Sequence, residues 1–363
     1  MKPGGRLLGQ LHQEPDGAWW NGIQEAHALV RQAMEAGVEI RTGVSVTAIE
    51  RSGQAEWKVW TCDGTYRAPF ALLATGAAEF AVPLPGWTLP GVMSIGAAQV
   101  MTNVHRVRVG KRGVVIGMNV LAMAIVSELR LADIELTAIV LPPTNPLSGQ
   151  ASEPKHVLAS LLRFAHLAPS PLFRLGASFI RSRIMQRIAL RLYPKRGMRM
   201  WGTPLQLRRT AVEILGEQCV TGVRIADVRP DGSTIPSSER IVDADFVCIA
   251  GGLYPLAELA AVAGCPFLYV PELGGHVPVH DERMSTPLAG LFVAGNITGV
   301  ESAKVAIAQG KVAGLAIAAE FGGTNAPSEN ELEAAMRYVK QTRREALIQF
   351  HPDIAASRER MYG

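Results

Sequence analysis

GLFVAGNITG, residues 290–299, is the stretch from which the fold of this 363-residue chain can be worked out. Leu291, Phe292, Val293 and Ala294 are apolar without alternation, the pattern of a parallel strand covered on both faces. Gly295 lets a ligand approach the backbone, and the Asn296 side chain can hydrogen-bond a hydroxyl. The Ala/Val/Ile-rich run that follows predicts a helix from about Glu301 to Glu320, its tip near Val300. The positive end of that helix would favour a group that becomes anionic. Ala303, Ala306, Gly310, Ala313 and Gly314 are small enough to predict close packing of the helix on a sheet. A plain strand–helix crossover with a capping Asn fits the same residues.

Two earlier stretches resemble this one. FALLATGA, residues 70–77, is an apolar strand that stops at Ala74, Thr75 and Gly76. RGVVIGMNVLAMAIVSELRLADIELTAIVL, residues 112–141, reads as strand–turn–helix–strand, the opening of an α/β unit. It holds the place of a G-x-G-x-x-G/A fingerprint, with Gly117 and Ala122 in the outer positions. Asn119 stands where the middle glycine would let backbone meet a pyrophosphate, and no acidic residue closes the next strand. NAD(P) is therefore disfavoured. Upstream, residues 22–36 have helical spacing, residues 38–50 alternate as a strand pair, and Asp63-Gly64 marks a hairpin.

Composition narrows the class. The chain is 48% hydrophobic and 19% charged, a globular balance, and no apolar run reaches the length of a membrane span. Cys62, Cys219, Cys248 and Cys265 form no C-x-x-C and have no His cluster, which argues against metal or a redox dithiol. Buried free thiols in a cytoplasmic protein are expected. The net charge of +4 conceals an asymmetry: residues 154–212 carry 12 basic residues, Lys155 to Arg209, and no acidic one. Helical pieces broken at Pro169, Pro171 and Pro194 are expected there. Arg183, Arg187 and Arg191 would share one face, with Met185, Ile188 and Leu192 roughly opposite and Arg181 intruding. A solvated helix, a docking face for a partner subunit, or contact with a membrane surface each fit; nucleic acid does not, since no recognition motif accompanies the charge.

Taken in order, these motifs resemble the FAD-dependent flavoproteins with two dinucleotide-binding domains, the pyridine nucleotide-disulfide oxidoreductase class. PGGRLLGQ (3–10) looks like that family's flavin-contacting loop, VSVTAIE (44–50) like its adenine-contacting strand, LLATGA like its ATG turn, and TPLAGLFVAGN (286–296) like its second FAD signature. The match runs from residue 3 to about 320. GGLYPLAELAAVAG (251–264) and GNITGVESAKVAIAQGKVAG (295–314) look most like α-type subunits of dye-linked proline or amine dehydrogenases, opine oxidases and cyanide synthase. The resemblance implies FAD held by Gly4, Gly5, Arg6, Val46, Ala74, Thr75, Gly76, Gly295, Asn296 and Val300. It also implies an α/β fold of two Rossmann-like domains. The FAD half would be residues 1–104 and 241–325, discontinuous and N-terminally incomplete. The NAD(P)-like half would be 105–240 with a basic helical insertion at 151–210, and 326–363 a helical tail.

The sequence departs from the family in three ways. The family's opening strand, G-x-G-x-x-G and helix are not seen here, which is expected of a truncated chain, a site completed by another polypeptide, or weakened FAD binding. Asn296 replaces the usual Asp, keeping a hydrogen bond to the ribityl chain and dropping a charge. Neither an iron–sulfur module nor a redox disulfide is present, so chemistry would pass straight through the flavin. The implied function is an FAD-dependent oxidoreductase subunit carrying electrons from an amine or amino-acid donor to a quinone or dye-type acceptor. The alternatives are a non-catalytic scaffold or assembly subunit, or an NAD(P)H-dependent flavin reductase. No general base is assigned; His276 and His280 are loop residues without an expected role. The expected location is cytoplasmic, with contact at a membrane surface open.

Overall fold

The computed structural model describes residues 2–14, 16–53, 56–163, 182–194, 197–324 and 326–362. The chain divides into two compact units, each assembled from separated segments. One, here the sheet unit, comprises Gly4–Glu35 and Glu79–Gly252. The other, the split unit, comprises Met1–Pro3, Ala36–Ala78 and Leu253–Gly363.

The sheet unit has an eight-stranded sheet in the order 240–243, 220–227, 203–216, 135–141, 112–116, 246–249, 92–94, with 198–200 pairing 203–216 off this path. Its centre is parallel: 112–116 lies between 135–141 and 246–249, and 92–94 follows. The strands 203–216, 220–227 and 240–243 form an antiparallel meander. The predicted strand–turn–helix–strand is present, with helices α1 (Gly22–Glu35), α2 (Ile95–Asn103) and α3 (Val120–Leu131). Continuous apolarity has the expected cause. Val115 packs on one face with Ile95, Ile125 and Leu129, while Val114 and Ile116 pack on the other with Val82, Leu84 and Ile214. In the basic tract, α4 (Pro154–Arg163) and α5 (Arg183–Leu192) form. Ile184, Met185, Ile188 and Leu192 of α5 are exposed and Leu190 is buried. Arg181 and the expected breaks at Pro169 and Pro171 lie outside the described residues.

Glu128 of α3 is a buried carboxyl of this unit. Both its oxygens accept from Gln99 Nε2, at 3.0 and 2.9 Å, and Asn103 Nδ2, which also donates to Gly9 O at 2.7 Å, reaches Oε2 at 2.5 Å. Burial pushes its carboxyl up to about 7, against the lowering effect of Gln99 and Asn103. A carboxyl whose pKa is raised on folding adds most stability below its unfolded value and loses that contribution as pH climbs through the folded value. Stability is therefore expected to fall by about 3 kcal/mol between pH 4.5 and pH 8 from this group alone. Urea titrations of wild type and Glu128→Leu across that window check the slope, which the variant should lack.

In the split unit, strands 46–52, 56–61 and 64–68 form an antiparallel sheet around the predicted Asp63-Gly64 turn. Strand 71–73 pairs in parallel with 291–293, in the register Leu73↔Val293. Helices α6 (Glu258–Val262), α7 (Ala303–Phe321), α8 (Glu329–Glu345) and α9 (Ile354–Tyr362) follow. Trp57, buried at 2% exposure, donates Nε1–H to Ala289 O at 3.1 Å and anchors the antiparallel sheet to the segment entering 291–293.

Three local expectations are corrected. Residues 38–45 form no strand, because Val38 and Ile40 are exposed and have no face on which to alternate. The α7 stripe that packs is Val305, Ala308, Val312, Ala313 and Ala316 against Leu332, Ala335 and Val339 of α8, while Gly314 is exposed. Cys62 and Cys219 are exposed, so only Cys248 and Cys265 are the expected buried thiols; burial pushes Cys248 up to about 12.

Candidate functional site

The split unit brings the ends of two neighbouring parallel strands together, because Ala294 N donates to Leu73 O at 3.0 Å. Ala74, Thr75 and Gly76 leave one strand end, Gly295 and Asn296 the other. Gly76 has φ +80° and Gly295 φ +78°, so an L side chain is disfavoured at both. A Cβ at Gly76 would meet nothing within 4 Å, and one at Gly295 only Ala306 Cβ at 3.6 Å. Both backbones are therefore open on the side where a side chain would stand.

The polar groups here are largely committed to holding the turn. Thr75 Oγ1 donates to Leu256 O, and Gly295 N donates to Gln309 Oε1 at 2.9 Å. Gln309, 1% exposed, has its Nε2 buried with no hydrogen-bond partner among the described residues. Asn296 Oδ1 accepts from Glu301 N at 3.2 Å, which leaves its Nδ2 outside that bond. Val300 is buried and its N–H donates to Leu273 O at 2.9 Å. Consequently α7 begins at Ala303, with Ser302 as cap, and not at Val300. Val46 opens the antiparallel sheet opposite Thr61. Gly4, Gly5 and Arg6 belong to the sheet unit, where Arg6 pairs with Glu79 at 3.5 Å.

Behind the α7 start lies a cluster that sequence spacing did not point to. Arg343 of α8 donates Nε and Nη2 to the two Glu301 oxygens at 2.6 and 3.2 Å, and Arg358 of α9 donates Nη2 to Oε1 at 2.8 Å. Burial would raise the Glu301 carboxyl, but Arg358 and Arg343 hold it below the usual carboxylate range. Arg358 also donates to Thr298 Oγ1 at 3.0 Å and faces His280 Nε2 at 3.1 Å. Arginine has only donors, so Nε2 must accept; His280 Nδ1–H then donates to Pro278 O at 2.7 Å. His276 instead lies against Tyr269, ring centroids 4.9 Å apart.

In the sheet unit the fingerprint position is filled by protein. Gly117 has φ +118°, and a Cβ there would lie 2.2 Å from Ala250 O. Asn119 caps α3, accepting from Ala122 N at 2.9 Å and donating Nδ2 to Ala250 O at 3.0 Å. A carboxamide thus stands across the helix end where a phosphate would bind.

Residues 1–109 match the family model described as FAD dependent oxidoreductase. An opine oxidase subunit of Agrobacterium tumefaciens (strain Ach5) is 28% identical over 331 residues, covering 88% of this chain and 59% of the relative. The chain thus spans about three fifths of that curated relative's length. Among solved structures, L-proline dehydrogenase from P. horikoshii superposes with TM-score 0.60 at 18% identity, over 92% of this chain and 51% of the other. T. acidophilum thioredoxin reductase gives TM-score 0.57 at 19% identity, over 86% of each chain. The chain has the α/β fold of the FAD/NAD(P)-binding oxidoreductases, and FAD is the cofactor that the family match indicates.

The residues of the split unit fit the ribityl and ring end of such a cofactor. Two open positive-φ glycines, the Asn296 amide and the orphaned Gln309 Nε2 adjoin the positive end of α7. Among the described residues of that unit, no glycine-rich strand–loop–helix cradles a pyrophosphate.

Proposed function

We propose that this chain is a subunit of an FAD-dependent oxidoreductase that takes electrons from an amine or amino-acid donor and passes them to a quinone or dye-type acceptor. The observation that carries the proposal is the pair of open strand ends at Gly76 and Gly295 beside the α7 tip. FAD, when bound, would accept an electron pair from a donor and release it onward. The chain's own residues would orient and polarise it. Asn296 Nδ2 would hold a ribityl hydroxyl, and Ala74, Thr75, Gly76 and Gly295 would let the cofactor lie against backbone. The α7 end near Val300 would favour a negative charge developing on the ring. Val46 would add a contact to the adenosine part. In this reading the FAD-binding half is residues 1–104 and 241–325, the NAD(P)-like half 105–240, and 326–363 a helical tail.

A partner chain is part of the proposal, since the opine oxidase relative is itself named as one subunit of its enzyme. The basic tract from Lys155 to Arg209 is its docking face in this reading, with a membrane surface as the alternative. No helix among the described residues is long and apolar enough to cross a membrane. Four unpaired cysteines support a cytoplasmic location.

Asn119 across the second fingerprint favours one alternative, a non-catalytic scaffold, and opposes a flavin reductase driven by NAD(P)H. Purification followed by FAD addition separates them. The proposal expects flavin absorbance near one per chain, and a more negative midpoint in Asn296→Asp, where an added negative charge would disfavour the anionic reduced flavin. A protein that stays colourless with FAD supports the scaffold and sinks the proposal, and bleaching by NADH would point to the reductase.

A further inference from the structure

A cleft of 180 Å³ opens in the split unit between the start of α7 and the connection from α8 to α9. Its lining includes two arginines and one carboxylate, Glu301. Arg343 uses Nε and Nη2 on Glu301, which leaves Nη1 outside that ion pair, and Arg344 also lines the cleft. The carboxylate in the lining, Glu301, is shared between Arg343 and Arg358, so two guanidiniums face one carboxylate and the cluster keeps an excess positive charge. Apolar side chains share the lining: Val305 and Ile354 are buried at 1% and 5% exposure, and Ile348 and the exposed Ala355 join them. Arginine side chains beside apolar ones in a small cleft suit a planar anion that carries a hydrocarbon body.

We propose that this cleft is a binding site for a small monocarboxylate with an aliphatic body, its carboxylate held by Arg343 and Arg344 and its chain lying on Val305, Ile348 and Ile354. Ser302, the α7 cap, lines the same cleft, so a bound acid would sit two residues from Val300 in sequence. In that position it can serve as the carboxylate anchor of an amino-acid-type donor. This use rests on the flavin function proposed above, whereas the binding itself does not.

Calorimetric titration of the full chain with butyrate, and with neutral butyramide of the same shape, tests the site. Butyrate is expected to bind at least tenfold more tightly than butyramide, the difference made by charge-assisted hydrogen bonds. Arg344→Gln should weaken butyrate about tenfold, and Ala355→Phe, which adds bulk to the apolar lining, should remove its binding. Melting temperatures check that both variants fold, and Arg344→Gln decides the matter if Ala355→Phe does not. Equal affinity for acid and amide, no binding of butyrate, or wild-type affinity in Arg344→Gln overturns the assignment. Butyrate bound by a protein that takes up no FAD keeps this site and removes the flavin reading; FAD taken up without butyrate binding does the reverse.

Discussion

Glu301→Ala is expected to lower the stability of the chain by about 3–5 kcal/mol, the usual cost of removing one member of a buried ionic group. The magnitude follows from what remains. Arg358 is 1% exposed and Arg343 9%, and both direct donors at the deleted carboxylate. Neither guanidinium can shed its proton, so two desolvated positive charges would face each other, with Thr298, His280 and Tyr362 among the polar contacts left to Arg358. Urea denaturation followed by circular dichroism reads the loss. The interaction is not the source of the fold's net stability, because desolvation offsets most of its attraction. Glu301→Leu combined with Arg343→Met and Arg358→Met is therefore expected to recover most of what Glu301→Ala loses. If Glu301→Ala melts within a degree of wild type, the buried arginines do not depend on Glu301 as argued.

Acid is expected to weaken the same region through His280. The ring is 3% exposed, and burial, with Arg358 beside it, lowers its pKa from 6.5 to about 3. The folded state therefore holds the neutral imidazole, while the unfolded chain takes up a proton as pH drops below 6.5. Its contribution is complete above 6.5 and is lost progressively as pH falls towards 3, at about 1.4 kcal/mol per unit. Between pH 7 and pH 5 that amounts to about 2 kcal/mol. Since Glu128 has the opposite slope, the two must be separated by variants. His280→Gln should show a smaller fall in urea midpoint between pH 7 and pH 5 than wild type. An unchanged fall would place the acid sensitivity elsewhere.

Much of the sheet unit was legible because burial leaves its mark on composition. A strand covered on both faces must be apolar throughout, and Val114, Val115 and Ile116 are each 0% exposed. The strand ending at Val293 was readable for the same reason. Residues 38–45 show the converse: alternation predicts a strand only where a face is available to bury, and sequence cannot say whether one is. The α7 start was placed near Val300 because its apolar spacing continues backwards through Val300. The true start is set by Ser302, while Leu273 O and Asn296 Oδ1 have taken the preceding N–H groups. The Glu301 cluster was illegible, since its arginines lie 42 and 57 residues downstream and nothing in their spacing singles them out from the chain's other basic residues.

The pairing of Leu72 with Phe292 has a consequence for the order of events on the ribosome. Strand 71–73 emerges early, yet its partner is synthesised only after the whole segment 79–252 of the sheet unit. Until then the stretch FALLA has one edge without its native neighbour, a sticky apolar ribbon on a nascent polypeptide. Translation speed and chaperone supply should therefore govern the yield of correctly assembled chains more strongly than the stability of the finished fold suggests.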